Sequence, residues 1–273
     1  MTLMNLDAMA ASIPDGAMIA LPPDNSLPSV ALAKALIRRG AKRLRLVGVP
    51  ISGFATDILI GAGCVEEVQT SAVTLGEAGF APRFSAALKE GRLRILDATC
   101  PAIHTMLQAT EKGVPFMPLR GLIGSDILAN RPDWKVVESP FGTGEKITLL
   151  PALNPDVAVF HAVMADSAGN VWVGRRRECA TIAHASKRAL VTVERVVEGN
   201  FLEDERLCPG AINATYISGY AIAERGAQPA ALLDEYGFDT QYVMDYARAA
   251  KTEAGFAAWC AEHVFGSQAV AAE

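Results

Sequence analysis

Cysteine is scarce in this sequence and scattered. Cys64, Cys100, Cys179, Cys208 and Cys260 form no CxxC pair and show no zinc-type spacing. An odd, dispersed set of this kind excludes a disulfide framework and gives no metal site. A Gly-rich dinucleotide fingerprint does not follow the first apolar strand, and there is no Walker loop, so neither kind of nucleotide site is supported. The nearest approach to a nucleophile elbow, Gly76-Glu77-Ala78-Gly79, lacks the serine. No apolar run approaches the ~18 residues that span a bilayer. The N-terminus has no charged region leading into an apolar one, so no signal peptide is expected and the protein is expected to be cytoplasmic. Basic charge is also short: Lys and Arg number 25 against 30 Asp and Glu, a net charge of −5. A nucleic-acid or membrane partner needs a clustered basic patch, and the run Arg175-Arg176-Arg177 is too short to supply one.

What is present is apolar. Hydrophobic residues make up 51% of the 273 residues and charged residues 20%, which suits a well-buried core. The pattern is a repeated strand, loop and helix. Met18 to Leu21 is a short apolar strand that runs into Pro22-Pro23-Asp24-Asn25-Ser26. Pro28 to Arg39 has helical spacing and stops at Gly40. Strands follow at Arg43–Val49, Glu67–Thr74, Leu93–Asp97 and Val114–Leu119. Helices alternate with them at Ala55–Ala62, Ala81–Glu90 and Pro101–Lys112. Short connections in units of this kind predict an open, mainly parallel α/β sheet with helices on both faces. From Gly121 to Gly144 the rhythm breaks into a long segment with glycine corners, a type that tends to be functional. Leu149–Leu153 and Val157–Met164 are expected to return to the sheet. Asp166 to Asn170 reads as a turn into Val171–Val173. Cys179–Ser186 reads as a helix and Arg188–Val193 as a strand. The tail, Thr240 to Phe265, reads as one amphipathic helix with Tyr242, Met244, Tyr246, Ala249, Phe256, Trp259 and Val264 inward. Beyond Phe265 the chain is expected to fray. No linker divides the chain, so residues 1–273 are read as one domain.

Ligands of an open parallel sheet bind at the carboxyl ends of its strands. The candidate loops are Pro22–Ser26, Pro50–Gly53, Thr74–Gly79, Thr99–His104 and Gly121–Asp126. Gly124, Ser125 and Asp126 offer amides, a hydroxyl and a carboxylate at one corner, and a capped helix start explains the same residues equally well. Glu77 at a strand end could be a base or nucleophile, and an exposed loop carboxylate is the commoner case. His104 fits a helix surface as well as a base. His161, within an apolar strand, fits a hydrogen-bonded core histidine. Cys100 reads as a small core residue. On residue types alone the chain is an enzyme-like α/β domain without a complete catalytic set.

Several stretches in order carry a resemblance: Asp15-Gly16 before the first strand, LVGVPISGFATDILIGAGCVEEV at 46–68, and GVPFMPLRGLIGSDI at 113–127. ESPFGTGEKITLLPALNPDVAVFHAVMADSAGNVWVG at 138–174, Gly226-Ala-Gln-Pro229 and the TEAGFAAW tail follow. Together they resemble the alpha subunit of class I CoA-transferases, of the glutaconate CoA-transferase type. The resemblance implies an open α/β sheet paired with a homologous beta subunit. It implies a coenzyme A thioester and a carboxylic acid as substrates, with no permanently bound cofactor. It also implies a nucleophilic glutamate carried by the beta subunit. The matching place here, Val49-Pro50-Ile51, holds no carboxylate, so no catalytic residue is expected in this chain. The substrate-binding residues expected are Pro22, Pro23, Asp24, Ser52, Gly53, Glu77, Gly124, Ser125 and Asp126. One departure stands out: many members have Gly-Gly-Phe where this chain has Pro22-Pro23-Asp24, and proline removes amide donors. A related branch of ring-opening hydrolases acting on steroid-derived CoA thioesters resembles the chain almost as well. A subunit that binds acyl-CoA without turnover is the third alternative.

Overall fold

A computed structural model of the chain describes residues 2–142 and 144–266. The first part runs β1 (Thr2–Leu3), α1 (Leu6–Ala11), β2 (Met18–Leu21), α2 (Val30–Arg39), β3 (Leu44–Gly48), α3 (Phe54–Gly61) and β4 (Val65–Thr70). α4 (Pro82–Lys89), β5 (Arg94–Asp97) and α5 (Cys100–Glu111) complete it. Next come β6 (Phe116–Leu119), α6 (Ile127–Asn130), β7 (Lys135–Glu138) and β8 (Lys146–Pro151). The last part is β9 (Val157–Asp166), β10 (Val171–Trp172), α7 (Arg177–Ala185), β11 (Ala189–Val197), β12 (Ala211–Ile212), β13 (Gly219–Ile222), α8 (Thr240–Ala249) and α9 (Glu253–His263).

The main sheet has the order β1-β13-β11-β9-β2-β3-β4-β5, and every pairing along that path is parallel. β10 turns back antiparallel on β9 and carries β12 at its side. Side chains alternate between two cores. Ile19, Leu21, Leu44, Leu46, Val157 and Val159 face the helices α1 to α4, α8 and α9. Ala20, Val47, Val49, Ala158 and Phe160 face α5 and α7. A strand covered on both faces has no polar side to show, which is why β9 reads as a near-continuous apolar run. The chain moves outward from β2 to β5, then returns beside β2 as β9. That reversal makes a crevice at the carboxyl ends of the central strands.

Three expectations are corrected. β6 and β8 do not join the main sheet. With β7 they form a separate antiparallel sheet in the order β6-β8-β7. Pro118 lies inside β6 and Pro151 ends β8, and proline is tolerated at edges and ends rather than inside a covered sheet. The segment 121–144 is accordingly not one long loop but contains α6 and β7. The tail is two helices. Thr252 accepts the Gly255 amide at 3.1 Å and starts α9, and a Cβ at Gly255 would lie 2.1 Å from the Ala249 carbonyl. Met244, expected inward, is 38% exposed. The expected fraying beyond Phe265 falls, from residue 267 on, outside the described residues.

Candidate functional site

A cavity of about 720 Å³ opens where β2, β3 and β4 end. The loop after β2 contributes Asp24, the loop after β3 contributes Ile51 to Gly53, and the 3₁₀ turn Gly76–Ala78 beyond β4 contributes Glu77. Leu233, Tyr236 and Phe238, from the segment after β13, form an apolar far wall, and Val243 of α8 extends it.

The start of α3 forms one side. Its first amide, Phe54 N, donates to both oxygens of Asp24 at 3.1 and 2.9 Å. The carboxylate presses so close that a Cβ on Gly53 would lie 2.2 Å from it. Only glycine fits there, which gives Gly53 a steric reason. Burial pushes the Asp24 carboxyl up to about 6 against the pull of the Phe54 amide, with Asp57 adding repulsion. Asp57, one turn into α3, is fully buried. It accepts from the Tyr246 hydroxyl at 2.7 Å and from the amides of Phe84 and Arg83. Burial pushes its carboxyl up to about 6 as well, despite these donors. Phe54 is clamped edge-on by Tyr246 and Trp259, at centroid distances of 4.8 and 5.8 Å. Such pairs contribute about 0.5–1.5 kcal/mol each beyond burial, and here they fix α8 and α9 against α3.

The far wall is held by a second buried network. His161 on β9 is 0% exposed. Its Nδ1 lies 2.8 Å from Thr192 Oγ1 and its Nε2 2.8 Å from Glu194 Oε1, both on β11. Thr192 continues to Ser29 at 2.7 Å. Glu194 also accepts from Tyr236 Oη at 2.8 Å and from the amides of Arg225 and Gly226. Burial works against its charge, yet the hydrogen bonds from His161, the Arg225 amide and Tyr236 outweigh it and hold its pKa down at about 2. The Gly226-Ala-Gln-Pro229 corner has a packing reason too: a Cβ on Gly226 would lie 2.7 Å from the His161 ring.

The turn Asp166 to Asn170 is a clasp. Asp166 is fully buried and accepts from Asn170 N, Asn170 Nδ2 and Phe201 N at 2.7–2.8 Å. Asn170 Oδ1 accepts from Ala214 N at 2.9 Å. The clasp fixes the exit of β10, and Arg176 just beyond it lines the cavity.

The structure therefore brings together Asp24, Ser52, Gly53 and Glu77 of the expected residues. Pro22 and Pro23 are buried behind Asp24 and do not line the cavity. Gly124, Ser125 and Asp126 lie elsewhere, on the exposed turn before α6, where Ser125 Oγ donates to Leu122 O at 2.7 Å. They follow β6, which is not a strand of the main sheet, so the carboxyl-end rule does not carry them to the crevice. The Thr99–His104 loop starts α5 beside the edge strand β5 and also stands apart from the cavity. Cys100 is exposed, not a core residue, with Sγ 3.4 Å from Ser71 Oγ. Sequence reading missed Arg176, Tyr236, Phe238 and Asp57. Asp57 did carry a signal: a single acid inside the apolar helix FATDILIG.

The comparisons agree with this architecture. The Coenzyme A transferase family profile matches residues 3–215. The chain is 30% identical to the alpha-type subunit of 3-oxoadipate CoA-transferase from Pseudomonas knackmussii, covering 96% of this chain and 93% of that one. It is 31% identical to the IpdA subunit of the cholesterol ring-cleaving hydrolase of Rhodococcus jostii, covering 88% and 83%. It spans only about half (53%) of an uncharacterised relative from Archaeoglobus fulgidus, to which it is 29% identical over 87% of its own length. The crystal structure of glutaconate coenzyme A-transferase from Acidaminococcus fermentans superposes with a TM-score of 0.89 at 25% identity, covering 100% and 93%. The chain belongs to the coenzyme A transferase family and aligns along its length with the family's alpha-type subunits.

Proposed function

We propose that the chain is the alpha subunit of a heteromeric CoA-transferase. It would work in the cytoplasm as a single domain beside a homologous beta subunit, moving CoA between an acyl-CoA and a carboxylic acid. The observation that carries this reading is the cavity wall itself. Ile51 stands after β3, at the place that holds the glutamate in beta chains of the resembling enzymes, and among the described residues no amine, thiol or imidazole lines the cavity. The Asp24 carboxylate is engaged with α3, and Glu77 stands exposed at the mouth. The wall suits enclosing an acyl chain, not attacking it.

The nucleophile then comes from the partner. A glutamate carboxylate attacks the thioester carbonyl, the CoA thiolate leaves, and an acyl-glutamyl anhydride forms. The thiolate returns to the glutamyl carbonyl and expels the donor acid as its carboxylate, leaving a glutamyl-CoA thioester. The acceptor carboxylate reverses both steps. Covalent catalysis of this kind divides one thioester exchange into easier ones. The anhydride is open to hydrolysis, and the apolar wall of Leu233, Phe238 and Val243 serves to keep water from it.

The test is an assay of the purified pair. Appearance of a new acyl-CoA from an added acid, with ping-pong kinetics, is the expected result. Free CoA released without transfer would replace this reading with hydrolysis. One observation favours that second reading: Asp24 takes the first amide of α3, leaving it no free donor for a thioester oxygen.

A further inference from the structure

Six arginines among the described residues are shielded from solvent: Arg39, Arg45, Arg83, Arg131, Arg176 and Arg188. Five have side-chain partners. Arg39 meets Asp15, Arg45 meets Asp156, Arg83 meets Glu253, Arg131 meets Asp133, and Arg188 donates to Ser12. Arg176 has no hydrogen bond, ion pair or ring contact to its guanidinium among the described residues, and it is the one cation lining the cavity. Its position is fixed from behind. The start of α7 is tied to the loop after β2 by Ser26 Oγ to Glu178 at 3.4 Å and by Cys179 Sγ to the Ser26 carbonyl at 3.3 Å. Removing a guanidinium from water without a partner is costly, and that cost is offset when an anion arrives. The planar fork matches a carboxylate through two parallel hydrogen bonds. The rest of the far wall is apolar, which suits a hydrocarbon chain between two anionic ends.

We infer that Arg176 receives a second carboxylate at the far end of the acid substrate, so that the cavity selects dicarboxylic over monocarboxylic acids. This rests on the acyl-binding reading of the cavity. A phosphate of CoA is the other anion with matching chemistry, and the test separates the two. Glutarate, pentanoate and free CoA are titrated calorimetrically into the intact alpha–beta complex, in wild type, Arg176→Gln and Arg176→Lys. No turnover is needed, so the result stands apart from the transfer assay. Glutarate is expected to bind wild type at least tenfold more tightly than pentanoate, about 1.4 kcal/mol. Arg176→Gln is expected to remove that preference with CoA affinity unchanged, and Arg176→Lys to restore part of it. A preference that survives Arg176→Gln, no preference in wild type, or a loss of CoA affinity instead would overturn the assignment. A complex that prefers glutarate through Arg176 yet transfers no CoA would leave this inference standing and remove the transferase reading alone.

Discussion

Asp57 is the residue whose chemistry departs furthest from its surroundings. Its ordinary carboxyl pKa of 3.8 rises to about 6 in the folded protein. The folded state therefore holds that proton more tightly than the unfolded chain. Its contribution to stability is fully present below about pH 4 and is lost as pH rises through about 6. Asp57→Asn keeps an acceptor for Tyr246 and cannot ionise. Across pH 4 to 7 the difference in unfolding free energy is expected to move in the variant's favour by roughly 3 kcal/mol, read from urea titrations at each pH. A difference that stays flat contradicts the account. Glu194 behaves in the opposite sense, since its depressed pKa keeps its stabilisation until acid approaches about 2. Glu194→Ala leaves His161 and Tyr236 without their acceptor, and a loss of about 3 kcal/mol is expected. Because Tyr236 lines the cavity, substrate affinity should fall with it, and unchanged affinity would show the far wall to be held by other means. At this scale the sequence was only partly legible. Asp24, Ser52, Gly53 and Glu77 sit where strand ends placed them. Arg176 was hidden in a basic run whose neighbours Arg175 and Arg177 are exposed, because local sequence does not tell which of three consecutive arginines faces inward.

Among the elements, α3 shows how tightly the site's geometry is set. Gly53 and Asp24 share one space, so Gly53→Ala is expected to cost about 1–3 kcal/mol through overpacking. Asp24→Gly removes the obstructing carboxylate at the expense of the cap. In the double variant the two costs should fall short of additive by at least 0.5 kcal/mol, measured by thermal and denaturant unfolding. Strict additivity would mean the loop after β2 moves freely away from α3. The strands from β2 to β5 and helices from α1 to α5 were readable because each is a short periodic run bounded by Gly, Pro or a capping residue. β6 and β8 were misplaced because an apolar run announces a strand without naming its neighbours. The break between α8 and α9 was missed because Thr252 and Gly255 act through cap and backbone contacts, which periodicity does not register.

For the whole molecule, the sheet order explains why one chain is half of a site. The chain reversal at β2 and β9 opens a crevice, the loops of β2, β3 and β4 line it, and the far wall is apolar. The Asn154 to Gly174 stretch, the strongest marker of the family in the sequence, supplies β9 and a clasp and no reacting group. The central claim is that the attacking carboxylate belongs to the partner subunit. The direct measurement is to incubate the alpha–beta complex with acyl-CoA, reduce it with borohydride, and map the reduced side chain by mass spectrometry. The account predicts a single modified glutamate in the beta subunit and none in this chain. Modification of Glu77, or of any other carboxylate here, would contradict it.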